Sequence, residues 1–169
     1  MIKKFIKYFL LLFLLISNLT KAENLNIYSI GSFDFNKQKN EAIDIRFEKR
    51  FDKIIFDLGP QEEPLYFIKP FIGIEATSDS AIYGLGGFYV EEKIGKNFFL
   101  TPNIGAGLYH RGDGKDLGSE IEFRSTIELS YQLKTGKRVG VSLGHISNAS
   151  IGNKNPGTEI LSLSYQTPF

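Results

Sequence analysis

Apolar and polar positions alternate along most of this chain. The clearest case is Ser119–Leu133, where apolar residues take every second position and mostly charged or amide residues lie between them. Successive side chains of a β-strand point to opposite faces, so this period of two predicts a strand with one apolar and one polar face. Eight such strands are predicted: Leu25–Phe35, Ala42–Phe51, Leu65–Thr77, Ala81–Glu91, Asn97–Tyr109, Ser119–Leu133, Arg138–Ser147 and Thr158–Phe169.

The N-terminal residues 1–22 have a different pattern, typical of a cleaved secretory signal. Lys3, Lys4 and Lys7 give a positive start, a largely apolar run follows, and Thr20-Lys21-Ala22 offers a small-x-small cleavage site. The apolar run is shorter than the ~20 residues that a membrane-spanning helix needs. We therefore predict a signal peptide at residues 1–22 and one domain at residues 23–169.

The length of that domain favours an all-β fold, an eight-stranded antiparallel transmembrane β-barrel. Membrane strands need ~9–11 residues each, so eight strands with their turns fill the remaining chain. Alternating strands rich in Phe and Tyr are typical of outer-membrane barrels, and Phe169 ends the chain with an aromatic residue. Arg124 and Glu128 are predicted to face the lumen and pair with one another.

Charge and cysteine content narrow the class of protein further. Removing the four lysines of residues 1–22 from the 20 basic residues leaves 16 against 19 acidic ones, a formal charge of −3. That balance argues against a nucleic-acid partner. The chain has no cysteine, so disulfides and thiolate metal sites are excluded.

Two prolines conflict with the strand pattern. Pro70 and Pro102 fall inside predicted strands, where proline removes a donor from the hydrogen-bond ladder. A closed barrel has no free edge to accommodate them. We expect a bulge or a strand break near each one.

Three residues with the chemistry of ester hydrolysis lie on the last two strands. His145 and Ser147 continue the apolar parity of Val139, Val141 and Leu143, and Glu159 shares the parity of the apolar residues after it. A barrel with both termini in the periplasm places all three at its outer end, facing lipid. A serine nucleophile, a histidine base and a carboxylate that orients the histidine form a catalytic triad. We predict catalysis near the extracellular leaflet by Ser147, His145 and Glu159.

The residues after Ser147 supply candidate donors for an oxyanion. The amide of Asn148 and the backbone N–H groups of Ala149 and Ser150 follow the nucleophile directly. Asn155-Pro156-Gly157 predicts a tight turn that holds this loop. His110 is assigned to a solvated loop, and Asp113–Asp116 lacks the ligands of a calcium loop, so no metal or other cofactor is predicted.

These motifs resemble those of the outer-membrane lipid A 3-O-deacylases of the PagL type. The resemblance rests on His145-x-Ser147-Asn148-Ala149, on Asn155-Pro156-Gly157-x-Glu159, and on the final strand ending in Phe169. It implies an eight-stranded barrel that hydrolyses the 3-position ester of lipid A. It also implies that Asn148 and Asn155 lie in or near the oxyanion hole. Ser150 departs from the pattern, because glycine is expected there.

The predicted partners are lipid A of lipopolysaccharide and the surrounding outer-membrane lipid, and no oligomeric state is specified. Other functions stay open: a structural or adhesive barrel without activity, an inactive relative of the deacylases, or an outer-membrane phospholipase. A soluble periplasmic lipid-binding barrel would require the apolar parity to face inward. The direction in which His145 and Ser147 point separates that alternative from the others.

Overall fold

The structure, a computed structural model, describes residues 23–37, 39–58 and 66–169. Within these residues the regular structure consists of antiparallel β-strands. In chain order they are β1 (Leu25–Phe33), β2 (Ala42–Arg50), β3 (Phe56–Leu58), β4 (Tyr66–Thr77), β5 (Ile82–Tyr89), β6 (Glu92–Lys93), β7 (Phe98–His110), β8 (Ile121–Gln132), β9 (Arg138–Ser147) and β10 (Thr158–Pro168).

Eight of these strands close into a barrel. Neighbours pair in the order β2, β1, β10, β9, β8, β7, β5 and β4, and β2 also pairs with β4. This last pairing leaves the long strands without a free edge. The short strands β3 and β6 pair with β4 and β7. The predicted eight-stranded antiparallel barrel is confirmed, and the predicted segments match the eight long strands with small shifts at their ends.

The barrel is apolar outside and polar inside. Along β8, Ile121, Phe123, Ile127 and Leu129 are exposed, whereas the residues of the opposite parity, Glu122, Arg124, Thr126 and Glu128, are buried. Leu163 on β10 is 65% exposed, while Glu128 in the lumen is fully buried. This inversion is the pattern of a barrel that spans a membrane. It also excludes the soluble lipid-binding barrel, which needs the apolar residues inside.

Buried arginines and carboxylates fill the lumen. Arg124 donates to Glu48 at 2.6 Å and to Glu75 at 3.0 Å. Arg50 donates to Glu48 and to Glu128, both at 2.8 Å. The prediction that Arg124 and Glu128 face inward is confirmed, but the predicted pairing between them is wrong. Arg124 pairs instead with carboxylates of β2 and β4, and Glu128 pairs with Arg50 of β2, because barrel closure brings β2 across the lumen from β8.

An apolar cluster fills the outer end of the lumen. It includes Tyr83 and Tyr109, whose rings meet edge to face, together with Leu117, Ile146 and Ile160. Ile146 and Ile160 are at most 1% exposed and point inward directly beside His145 and Glu159 in sequence. Tight interior packing here fixes the hairpin of β9 and β10.

Each proline lies opposite an irregularity in the neighbouring strand. Pro70 is within β4, and the neighbouring strand is interrupted at residues 51–55, between β2 and β3. Pro102 is within β7, and its partner is interrupted between β5 and β6. The proline carbonyls still accept, from the N–H groups of Phe51 and Val90. The expected breaks are therefore found, but in the partner strands, because the ladder fails where proline has no N–H.

The predicted signal peptide, residues 1–22, lies outside the described residues. Among the residues that are described, no helix is long and apolar enough to cross a membrane.

Candidate active site

His145 and Glu159 meet on the outer wall of the barrel. They are direct cross-strand partners in the pairing of β9 with β10. Nδ1 of His145 lies 3.4 Å from Oε1 of Glu159, and the two side chains are 47% and 24% exposed. The second carboxylate oxygen of Glu159 is buried without a hydrogen-bond partner among the described residues. An imidazolium formed at His145 would therefore be the main positive charge that offsets the negative charge of the Glu159 carboxylate.

Ser147 ends β9 on the same face as His145. The two residues are separated by one position, and strand geometry puts their Cα atoms ~6.8 Å apart. Since Nδ1 of His145 faces Glu159, Nε2 is the nitrogen left for the serine hydroxyl. The structure records no hydrogen bond between the two side chains. Such bonds are often long in substrate-free enzymes and tighten when substrate binds.

Asn148, the residue after the serine, is fully buried and holds two loops together. Its amide Nδ2 donates to the carbonyls of Leu117 and Lys154, at 3.0 and 2.8 Å. Its Oδ1 accepts from the N–H of Ser150 at 2.9 Å. Both amide hydrogens of Asn148 are thus already donated, and so is the backbone hydrogen of Ser150. In this structure the Asn148 side chain therefore bridges the segment of Leu117 and the segment of Lys154, and its amide hydrogens are engaged there.

Two other predicted residues keep free donors near Ser147. Oδ1 of Asn155 accepts from the backbone N–H of Asn148 at 3.2 Å, and the amide Nδ2 of Asn155 has no recorded acceptor among the described residues. The backbone N–H of Ala149 has no recorded acceptor within the described part of the chain. Asn155 and Ala149 therefore each have a donor that is not engaged with another described residue.

The backbone of this loop is left-handed at three positions. Ala149 and Ser150 have φ values of 50° and 64°, and Gly157 has a φ of 57°. A Cβ atom at Gly157 would lie 2.9 Å from Cε1 of His145, closer than side chains approach each other. Glycine at 157 thus serves both the turn and the position of the imidazole. Ser150 adopts the conformation for which glycine is favoured.

A buried ion pair between Lys115 and Asp34 lies beneath the loop, and the sequence did not predict it. Lys115 donates to Asp34, which also accepts from the hydroxyl of Thr158, the residue before Glu159. Burial acts to raise the pKa of Asp34, but the Lys115 ammonium and hydrogen bonds from Asn40 and Thr158 hold it below its usual value. Three segments distant in sequence supply these groups, and no local pattern connects them.

A groove of about 440 Å³ opens beside His145 and Ser147 on the outer wall. It crosses three neighbouring strands. Its outward-facing lining comes from Phe123 and Ser125 of β8, Ile104 and Ala106 of β7, and Gly86 and Phe88 of β5. Ser125 is the cross-strand partner of His145, and Phe123 is the partner of Ser147. An apolar chain can therefore lie directly against the candidate nucleophile.

The remaining histidine, His110, was predicted to lie in a solvated loop, but it is the last residue of β7, where it is exposed and pairs with Ile82. Within the described ranges, no three His, Cys, Asp or Glu side chains converge as metal ligands.

Comparison with known families gives this geometry a context. Residues 62–168, nearly two thirds of the chain, match the family described as Lipid A 3-O-deacylase (PagL). The chain belongs to this family. The match contains the entire candidate site, including His145, Ser147 and Glu159.

Two relatives within the family share a third of the aligned residues. The chain is 34% identical over 77 residues to the lipid A deacylase PagL of Bordetella bronchiseptica, which covers 44% of this chain and 43% of that protein. It is 33% identical over 73 residues to the lipid A deacylase PagL of Pseudomonas aeruginosa, 42% of each. The aligned segments thus span less than half the length of these relatives.

Solved structures support the fold. The crystal structure of the outer membrane enzyme PagL matches with a TM-score of 0.63 at 21% identity, covering 86% of this chain and 99% of that one. A designed transmembrane β-barrel matches with a TM-score of 0.58 at 10% identity, covering 89% and 100%. At these identities the likeness establishes the barrel fold alone.

Proposed function

We propose that this protein is a lipid A 3-O-deacylase of the serine-esterase type. It hydrolyses the ester that links a 3-hydroxyacyl chain to position 3 of lipid A, in the outer leaflet of the outer membrane. The observation that carries this proposal is the His145–Glu159 contact of 3.4 Å on the lipid-facing wall, with Ser147 on the same face. Family membership supplies the substrate class.

In the first half of the proposed reaction, Oγ of Ser147 attacks the ester carbonyl carbon while Nε2 of His145 takes the hydroxyl proton. Glu159 keeps the imidazole in the correct tautomer and stabilises the imidazolium that forms. The N–H of Ala149 and the amide of Asn155 face the developing oxyanion. The bond between the acyl carbon and the sugar oxygen then breaks, and His145 returns the proton to that departing oxygen.

The second half releases the acyl chain. His145 takes a proton from water, whose oxygen attacks the acyl-serine carbonyl, and the bond to Oγ of Ser147 breaks as the proton passes back to it. The products are a free 3-hydroxy fatty acid and lipid A with a hydroxyl at position 3. Location on the outer wall lets the substrate reach Ser147 by lateral diffusion, without leaving the membrane.

Mass spectrometry of lipid A tests the proposal in cells whose lipid A carries the 3-position chain. In cells that produce the intact protein, the mass of lipid A should fall by that of one 3-hydroxyacyl group. Ser147→Ala and His145→Ala should each lower turnover by several orders of magnitude, since triad members act as a unit. Ser142→Ala is the matched control, because Ser142 lies on the same strand but is buried in the lumen.

An unchanged acylation pattern with folded wild-type protein would refute the deacylase function and favour a structural barrel. Undiminished activity of Ser147→Ala would refute the proposed nucleophile. Release of fatty acid from phospholipid and not from lipid A would assign the protein to the phospholipases.

A further inference from the structure

An aromatic row crosses the outer wall near the end of the barrel where β1 begins and β10 ends. Phe47 of β2 pairs with Tyr28 of β1, and Tyr28 pairs with Tyr165 of β10. All three share the lipid-facing parity, and Tyr28 and Tyr165 are 51% and 41% exposed. Tyrosines are enriched at the depth where the hydrocarbon of a membrane meets its headgroups. This row therefore marks the membrane interface on this wall.

A polar row lies two residues further along each of the same strands, towards the chain termini. Lys49 of β2 pairs with Asn26 of β1, and Asn26 pairs with Thr167 of β10. Lys137, one residue before β9, continues the row by the register of β9 with β10. The row has the same lipid-facing parity as the aromatic one. It thus places two cations and two uncharged polar groups at headgroup depth.

Both lysines of the polar row extend towards the last strand. Nζ of Lys49 lies 4.5 Å from the ring centroid of Phe169, and Nζ of Lys137 lies 5.6 Å from that of Tyr165. These two rings are on either side of Thr167 in sequence. The aliphatic stem of a lysine covers apolar surface while its ammonium group stays in a polar environment. Two cations from different strands therefore flank one stretch of β10.

The charges of these lysines are not compensated by the protein. Neither lysine forms an ion pair with a described carboxylate, the terminal carboxylate of Phe169 included. Glu48, the neighbour of Lys49 in sequence, faces the lumen and accepts from Arg124 there. The hydroxyl of Thr167 makes no hydrogen bond with the described residues, and Oδ1 of Asn26 is buried without a partner. The patch thus offers positive charge, a free hydroxyl and a free acceptor.

We propose that this surface, the inner patch, binds the headgroup of a phosphatidylglycerol-type anionic phospholipid. Its residues are Lys49, Lys137, Asn26, Thr167, Tyr28 and Tyr165. Barrels of this class have their termini in the periplasm, so the patch meets the inner leaflet of the outer membrane. The two ammonium groups offset the phosphate charge, and Asn26 accepts from a glycerol hydroxyl. A zwitterionic headgroup carries its own cation and therefore gains less from the two lysines.

The inner patch and the candidate active site lie at opposite ends of the same two strands. Ten residues separate Lys137 from Ser147, which gives ~34 Å along an antiparallel strand. A strand tilted by ~40° spans ~26 Å of the membrane normal over that length, which matches the ~25 Å apolar band of outer-membrane barrels. A headgroup held at the inner patch thus sets the depth of the hairpin that carries His145 and Glu159. The inference does not depend on the deacylase function.

The test compares two double substitutions that remove the same charge from the same end of the barrel. Lys49→Gln with Lys137→Gln removes both cations of the inner patch. Lys93→Gln with Lys96→Gln is the matched control, at β6 and the turn after it, on the opposite wall. Folded protein in detergent micelles is titrated with phosphatidylglycerol or with phosphatidylcholine of the same acyl chains. Native mass spectrometry counts the bound lipids and gives a Kd for each.

Wild-type protein should bind one phosphatidylglycerol about thirtyfold more tightly than phosphatidylcholine, since each lysine beside an anionic headgroup contributes about fivefold. The inner-patch double variant should bind the two lipids equally, and the control should keep the preference. Lys49→Arg with Lys137→Arg should also keep it, because the charge is retained. High salt should reduce the preference of the wild type, as screening weakens exposed charges.

Equal binding of the two lipids by wild-type protein would overturn the inference. An unchanged preference in the inner-patch variant would place the lipid elsewhere, and an equal loss in the control would assign the effect to net charge. Wild-type protein that is dimeric and lipid-free would assign the surface to a second copy of the chain. If the double variant does not fold, Lys137→Gln decides alone: a loss of about fivefold is expected, and no loss overturns the inference.

Discussion

In the lumen, Arg50 and Arg124 are fully buried and each contacts two carboxylates at 2.6 to 3.0 Å. On the outer wall, His145 has one carboxylate partner at 3.4 Å, and the other oxygen of that carboxylate has none among the described residues. Both regions hold ionisable groups at membrane depth, where isolated charges are costly. The luminal network of Arg50 and Arg124 with Glu48, Glu75 and Glu128 compensates its charges within itself, whereas His145 and Glu159 on the outer wall are incompletely paired.

The difference between this arginine network and the His145–Glu159 pair predicts different consequences of substitution. A paired network has no capacity left for a substrate, and its loss is felt as lost stability. An incompletely paired histidine beside a serine can exchange protons with a substrate, and its loss is felt as lost turnover. Substitutions in the two regions should therefore change different quantities.

The largest expected effect is on turnover, from Glu159→Gln. The amide keeps the shape but cannot stabilise the imidazolium, so the rate should fall by about 10⁴-fold with the barrel intact. The rate of fatty acid release measures it. Glu128→Gln, the same change in the lumen, should leave turnover per folded molecule unaltered. A Glu159→Gln rate within tenfold of wild type would contradict the role of this carboxylate.

Arg50→Met should lower the free energy of unfolding and leave turnover unchanged. It leaves Glu48 and Glu128 with fewer buried partners, and breaking a buried pair costs about 3–5 kcal/mol of the free energy of unfolding. The midpoint of urea unfolding in lipid vesicles measures the loss. Turnover of the folded fraction should remain that of wild type, and a specific loss of turnover would mean that the two regions are coupled.

Asp34→Asn tests a buried pair that supports the outer wall. Because the pKa of Asp34 is lowered in the folded protein, its pairing with Lys115 is complete above the unfolded value of about 3.9 and is lost as pH falls through the folded value. The Asp34→Asn substitution should reproduce this loss at neutral pH. We expect faster hydrogen exchange at Thr158 and about tenfold slower turnover, since small displacements of catalytic groups are costly.

Asp116→Asn is the control for that change, because Asp116 pairs with Lys154 at an exposed site, where an ion pair contributes little. Equal hydrogen exchange in the two variants would show that the Asp34–Lys115 pair does not hold the loop.

The smallest effect is expected from Ser150→Gly. A left-handed residue other than glycine costs about 1–2 kcal/mol, part of which glycine loses again through its freedom in the unfolded chain. The free energy of unfolding should rise by about 1 kcal/mol, as measured by urea titration. Ser80→Gly, in the turn before β5 with a φ of 64°, should give a similar gain away from the site. A loss of stability in both variants would contradict the claim that Ser150 and Ser80 are strained by their positive φ angles.

The sequence predicted the eight long strands and the outward direction of His145, Ser147 and Glu159, because alternation with period two is a local property. It did not predict β3 and β6, which are short strands that pair with β4 and β7 beyond the interruptions opposite the prolines. It left the Asn148 amide and the N–H groups of Ala149 and Ser150 as alternative oxyanion donors, and it did not predict that the Asn148 amide donates to the carbonyls of Leu117 and Lys154.

By itself, the sequence determined which residues of most strands share a face, since parity along a strand needs no knowledge of its neighbours. The structure decided that the apolar face is the outer one. Only the tertiary structure decided that Arg124 pairs with Glu48 and Glu75, that Lys115 reaches Asp34, and that Gly86 and Ala106 line the same outer-wall groove as Ser147. Each of these contacts joins strands or turns far apart in the chain. Their positions follow from barrel closure and from the register between neighbouring strands, which alternation within one strand does not encode.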